Sequence, residues 1–193
     1  MAIDVQPRTL TPAARAILDS AARLFYAEGI NSVGVDTIAA DAGVTKKTLY
    51  DQFGSKAAVV VAYLTERDER FREWVDASIA KESSADAKVL AVFDALSSWM
   101  NANSFRGCAF VHAHSELIGD PDHPAHAVIR SEKVWLRELF EELVGARPSP
   151  DAPSLAVQLV TLIEGASIMR SISDVSDAIP DARAAAATLL RNR

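Results

Sequence analysis

With 193 residues, 49% of them hydrophobic and 24% charged, the chain has room for one or two domains and the composition of a globular protein. A net charge of −6 excludes a basic surface spread over the whole molecule, and a lone cysteine, Cys108, excludes an internal disulfide framework. No apolar run approaches the roughly 18 residues of a bilayer span, and MAIDVQPRTL lacks the apolar centre of a signal peptide, so the expectation is a cytoplasmic protein with no membrane partner. The charge is uneven. Arg8, Arg15, Arg23, Lys46, Lys47 and Lys56 are matched by acids over residues 1–56, and the excess of acid lies beyond. A polyanion is therefore tolerated only at the N-terminal end.

Nearly every segment reads as helix. LTPAARAILDSAARLFYAEG offers Thr11 as N-cap, Pro12 at the first helical position and Gly29 as C-cap. Ile17, Leu18, Ala21, Leu24 and Phe25 recur at helical spacing. A short helix from about Val35 to Ala42 ends at Gly43, Thr45 caps another through about Phe53, and Ser55 caps a long one to about Lys81. The polar stretch KESSADAK is a break and reads as a domain boundary. Helices near 85–103, 107–118, 124–145, 154–171 and 180–191 follow, separated by NSFRG, GDPDHP, ARPSPDAP and SDVSDAIP. No segment alternates with period two for long enough to make a strand. The reading is all-α, about nine helices, with residues 1–56 as one domain and 57–193 as another, joined by the long helix 55–81.

The stretch IAADAGVTKKTLYDQFGSK is two short helices around a glycine turn, the helix-turn-helix arrangement. Ala39 is small enough for close helix approach, and Gly43 supplies a positive φ. Val44, Leu49 and Phe53 pin the second helix inward. Thr45, Lys46, Lys47, Thr48 and Tyr50 are left outward on the turns that enter a major groove, where Lys and Thr can meet bases and Tyr a phosphate. With Thr37 on the preceding helix and Lys56 at the next helix start, they form the candidate DNA-contact set.

From about Thr11 to Val61 this pattern resembles the DNA-binding domain of the TetR family of bacterial transcriptional regulators. The match runs through ILDSAARLFYAEGINSVGVDTIAADAGVTKKTLYDQFGSK, with EG, IA..AGV, T..TLY..F and SK in register. The resemblance implies an all-helical homodimer with an N-terminal three-helix operator-binding domain and a larger C-terminal domain holding an effector pocket and the dimer face. Two departures stand out. Gly34 replaces the usual capping Ser or Thr, and Lys47 replaces a small residue. Asp51 is expected to point away from DNA.

The C-terminal region diverges more, although RGCAFVHAHSEL resembles the sixth helix of many such proteins. Cys108, His112 and Glu116 recur every four residues, on one helical face if the helix is continuous. Amid Phe93, Leu96, Trp99, Met100, Val111 and Trp135 they read as effector-pocket lining, as satisfied core polar groups, as a metal site or, for Cys108, as a redox switch. Leu155, Leu159, Leu162, Ile163, Ala166 and Met169, with Ala186 and Leu190 of the last helix, are expected to form a four-helix dimer interface or to cover the protomer core. No metal or other cofactor is expected, and no catalytic spacing is seen. The partners implied are a double-stranded operator, a small-molecule effector and a second copy of the chain. The functional expectation is a ligand-released repressor on a palindromic operator. An activator, a C-terminal enzyme or an interaction module with a vestigial DNA domain are the alternatives.

Overall fold

Capping chemistry sets the helix starts. In the structure, a computed structural model that describes residues 10–103, 106–145 and 151–191, Thr11 Oγ1 accepts the Ala14 amide at 3.1 Å and Thr45 Oγ1 that of Thr48 at 3.0 Å. Ser55 Oγ accepts from Ala58 at 3.0 Å and Ser84 Oγ from Ala87 at 3.2 Å. Each bond satisfies one of the four orphan N–H groups of its helix and stabilises it by about 1 kcal/mol. Among the described residues there are nine helices and no strand: α1 Pro12–Glu28, α2 Val35–Asp41, α3 Lys46–Phe53, α4 Lys56–Ile79, α5 Ala85–Ala102, α6 Ala109–Leu117, α7 Ala125–Gly145, α8 Ala152–Ile172 and α9 Ala178–Arg191. The all-α reading holds, with nearly every boundary within two residues of expectation. The N-terminal stretch with Arg8, and parts of the NSFRG and ARPSPDAP breaks, lie outside the described residues.

Apolar side chains gather into two cores. One holds Ile17, Leu24, Ile38, Leu49, Val60 and Leu64 from α1 to α4, and also Phe110 and Leu117 of α6 and Ala125 and Ile129 of α7. The other holds Phe71 and Val75 of α4 with Phe93, Leu136, Phe140, Leu159, Ile179 and Ala186 from α5, α7, α8 and α9. Helix α4, 24 residues and so about 36 Å long, belongs to both. The polar break at 81–88 is therefore not where the cores part. Helix α6, far along the chain, packs on the N-terminal core.

Helix α8 departs from expectation. It is 21 residues long with a mean hydropathy of 1.4 in its 18-residue window, so by length and composition it could cross a membrane. Glu164 and Arg170 interrupt its apolar run without lowering the average much. In the fold 39% of that window is buried inside the protein, against α7 and α9.

Candidate nucleic-acid interface and internal cavity

The α2–α3 turn satisfies its own backbone. Gly43, at φ 66°, donates its amide to Ala40 O at 3.2 Å, and Val44 donates to Ala39 O at 2.9 Å. Burial of Ile38 and Leu49, both 0% exposed, seats the pair on α1. At roughly 1.5–3 kcal/mol per large apolar side chain, this burial outweighs the caps in holding the motif. Asp41 at the end of α2 accepts from the Ser20 hydroxyl and from Arg23 of α1, and these donors hold its carboxyl below the ordinary range.

Outward of this frame lie Thr37, Thr45, Lys46, Lys47 and Tyr50, all exposed, with Thr48 half-buried. Thr45 Oγ1 and Thr48 Oγ1 are 2.8 Å apart, so the two hydroxyls already engage each other. Lys46 Nζ donates to Asp36 at 2.9 Å and Lys47 Nζ to Asp51 at 2.6 Å. Asp51 thus lies within reach of the same ammonium that faces outward. Exposed pairs of this kind are screened by water and stabilise little, so both ammoniums are available to a polyanion at little cost. Gly34 caps α2 with no side-chain bond.

Lys56 differs from expectation. Its ammonium turns inward and donates to Ile30 O at 2.6 Å, and burial lowers its pKa. It ties down the α1–α2 loop instead of standing free at the surface. The same loop is gripped from the other side. Glu116 of α6 accepts the Ile30 amide at 3.0 Å and the Asn31 amide at 2.7 Å, while Asn31 Nδ2 donates to Glu116 O at 2.8 Å. A Cβ at Gly29 would meet Glu116 Oε2 at 3.0 Å, so the glycine admits the carboxylate as well as the φ of 92°. At the start of α6, Tyr26 of α1 donates to Gly107 O at 3.0 Å and accepts the Arg106 amide at 2.8 Å.

Glu116 is therefore a clamp on the α1–α2 loop and not a pocket residue, and the stripe expected of Cys108, His112 and Glu116 does not form. Cys108 precedes α6 and turns inward, His112 is exposed, and Glu116 reaches the α1–α2 loop. The spacing failed at Cys108 because α6 begins only at Ala109, and His112 and Glu116 share a face of α6 that does not line the cavity.

Between α4, α5, α6, α7 and α8 lies a cavity of about 50 Å³. Of the residues expected to line a pocket, Leu96, Trp99 and Cys108 do so. Phe93 and Met100 are buried in the core, at 0% and 1% exposure. Trp135 sits edge-on to Phe71 with Arg72 over its ring, and Val111 faces a separate open groove. The sequence reading missed Arg67, Phe71, Glu132, Lys133 and Glu164 of the lining. Glu132 and Lys133 look like any charged pair on an amphipathic helix until α8 covers them.

Those charges are unusually deep. Glu132 is 3% exposed. Lys133 Nζ donates to Glu164 at 2.6 Å and lies 3.5 Å from Cys108 Sγ. It is 3.0 Å from Glu132 Oε2, which makes no hydrogen bond; nor does Oδ1 of buried Asp68, whose other oxygen pairs with Arg72 at 2.7 Å. Burial pushes the Glu132 carboxyl upward, with Lys133 opposing. Burial also pushes the Cys108 thiol up. Lys133 itself is held protonated: burial works against its charge, and the Glu132 and Glu164 carboxylates more than offset it.

The expected dimer residues are mostly inside the protomer. Leu155, Leu159, Ile163, Ala166, Ala186 and Leu190 are buried, so they cannot meet a partner; Leu162 is half-buried and Met169 is 46% exposed. Because α8 is apolar on nearly every side, periodicity picks the wrong face. The outward apolar residues are Val157, Ile168, Met169 and Ile172.

A turn-linked helix pair with lysines and a tyrosine on its outer edge, braced against a second helical layer, defines a DNA-binding transcriptional regulator of the helix-turn-helix type. Residues 17–63 match the family described as bacterial regulatory proteins, tetR family. The crystal structure of SCO4454, a TetR-family transcriptional regulator from Streptomyces coelicolor, superposes with a TM-score of 0.84 at 33% identity, covering 93% of this chain and 96% of that one. The chain belongs to the TetR family of transcriptional regulators. The sav143 protein of Streptomyces avermitilis is similar at 28% identity and a TM-score of 0.73, covering 91% of this chain and 98% of its own. The transcriptional regulator YjdC of Escherichia coli K12 is 25% identical over 167 residues, 84% of this chain and 87% of its own.

Proposed function

We propose that the protein is a ligand-released repressor that binds a palindromic operator as a homodimer in the cytoplasm. The observation that carries the reading is the double grip of α6. Its start walls the cavity through Cys108 and Phe110, and its end holds the α1–α2 loop through Glu116. A ligand that widens the cavity displaces α6, and the displacement reaches α1–α3 without passing along α4. The ligand shifts the equilibrium only by its differential affinity for the two positions of α6. Residues 1–56 read DNA; the remainder senses ligand and dimerises.

Dimerisation runs through the outer faces of α8 and α9. Val157, Ile168 and Ile172, at 52%, 39% and 74% exposure, flank exposed Gly165, and Ala184 and Ala185 are exposed on α9. Small residues between larger apolar ones let helices approach closely. A two-fold axis there sets the α3 helices roughly 34–36 Å apart, or a multiple, to meet successive major grooves. DNA footprinting beside the protein's own gene, repeated over a salt series, tests the reading. Protection that weakens steeply with salt supports it. The absence of any protected site at low salt overturns it.

A further inference from the structure

The cavity has a polar corner and an aromatic wall. In the corner, Glu132 and Glu164 share one cation, Lys133, so the group carries a net charge of −1 with all three side chains lining the cavity. Cys108 adds a thiol that burial keeps protonated. Asp68 is paired with Arg72 and adds no net charge. Lys133 directs hydrogen bonds to Glu164 and Cys108. Glu132, 3% exposed, keeps an oxygen that accepts no hydrogen bond. Lys133 Nζ, 3.0 Å away, brings its charge to that oxygen but no aligned N–H, so a well-placed donor still gains a bond there.

The wall is made of Phe71, Trp99 and Leu136. Phe71 and Trp99 meet edge to face, with ring centroids 5.5 Å apart. Aromatic faces attract cations. Arg67 is the other cation of the lining, but it is half-exposed and spread over the rings of Tyr26, at 4.2 Å, and Trp99, at 5.6 Å, which places it at the rim. An anionic ligand would have to approach the buried Glu132 and half-buried Glu164 carboxylates, and the ammonium nearest them already pairs with both.

We infer that the effector is a compact lipophilic amine, bound as its cation, with its N–H groups donating to Glu132 and its apolar body against Phe71 and Trp99. The inference rests on the ligand-released reading above and names the chemical class of that ligand. Charge decides against a neutral alcohol or amide. Such a donor satisfies the open oxygen but leaves the corner's net charge of −1 uncompensated. Size decides against a bulky drug. At about 50 Å³ the cavity is well below the roughly 150 Å³ that accommodates benzene. Entry must therefore widen it, and a small ligand widens it least.

Three isosteric probes, benzylamine, benzyl alcohol and benzoate, titrated calorimetrically into the full-length protein, test this. Benzylamine is expected to bind at least tenfold more tightly than benzyl alcohol, and benzoate not at all. Glu132→Gln should weaken benzylamine at least tenfold and leave benzyl alcohol within about twofold. Arg67→Gln, which removes a like charge at the rim, should tighten benzylamine. If Glu132→Gln does not fold, the wild-type ranking and Arg67→Gln still decide. An alcohol that binds as well as the amine, a preference for benzoate, weaker benzylamine binding by Arg67→Gln, or no binding by any probe would each overturn the assignment. DNA protection by the ligand-free protein is measured separately, so failure of the amine leaves the regulator reading standing, and loss of protection does not bear on the ranking.

Discussion

The two ends of α4 lie in cores built on different rules. Around Val59, Val60 and Leu64 the core is apolar apart from the hydroxyls of Ser20 and Tyr63, and the neighbouring loops are closed by caps, backbone bonds and the side chains of Lys56 and Glu116. Around Phe71 and Val75 the core abuts buried Asp68 and Glu132, each with one oxygen left without a hydrogen bond, and half-buried Lys133. The first arrangement has one good packing and resists change. The second is incompletely satisfied, so a ligand that supplies a donor can favour another packing. A reader of DNA needs the former, the sensor proposed above needs the latter, and α4 joins them without either half dictating the other.

The strongest test of the contrast is Leu49→Ala. Leu49 is wholly buried between α3 and α1, and its truncation should cost about 2–5 kcal/mol by denaturant unfolding and abolish operator binding. A loss under about 1 kcal/mol would mean that the recognition unit is looser than its packing indicates. Next is Glu116→Ala, which strips donors at Ile30 and Asn31 of their acceptor. We expect a loss of about 1–3 kcal/mol, retained operator binding and weakened release by ligand. Undiminished release would move the coupling route back to α4.

Lys46→Ala is expected to weaken operator binding with little sequence preference and to reduce the slope of log affinity against log salt by about 1, measured by fluorescence anisotropy. The second core should betray its buried carboxyl through pH. Because burial raises the folded-state pKa of Glu132, the native protein holds its proton after the unfolded chain has lost it. The stability present below the unfolded value of 4.5 is lost as pH rises through the raised folded value. Glu132→Gln should flatten that decline in thermal melts across the same window. The smallest effect belongs to Asp51→Asn, which breaks an exposed pair with Lys47. Stability should change by less than about 0.5 kcal/mol, while operator affinity holds or rises in a gel-shift assay.

Legibility followed the same divide. Thr11, Thr45 and Ser55 announced their helices because a cap is a bond between neighbours in sequence, and Gly43 announced its turn because only a local φ was at stake. Ile17, Leu24 and Leu49 showed their inward direction because each lies on a helix with a polar far side. Leu155, Leu159 and Ile163 did not, because α8 is apolar all round and the choice between core and surface depends on which face meets α7 and α9. Lys56 read as a free cation; its carbonyl partner, Ile30 O, comes from a loop 26 residues earlier.

The sequence alone determined that this chain is helical, that residues 35–53 form a turn-linked pair with lysines outward, and that the polyanion-tolerant end is the N-terminal one. These features depend on contacts a few residues apart or on summed charge. Only the tertiary structure decided that Glu116 belongs to the recognition unit, that Glu132 is buried and Lys133 half-buried beside a cavity, and which side of α8 stays open. Each of those depends on helices distant in the chain coming together, and helical periodicity fixes a side chain's direction about its own axis but not what lies opposite.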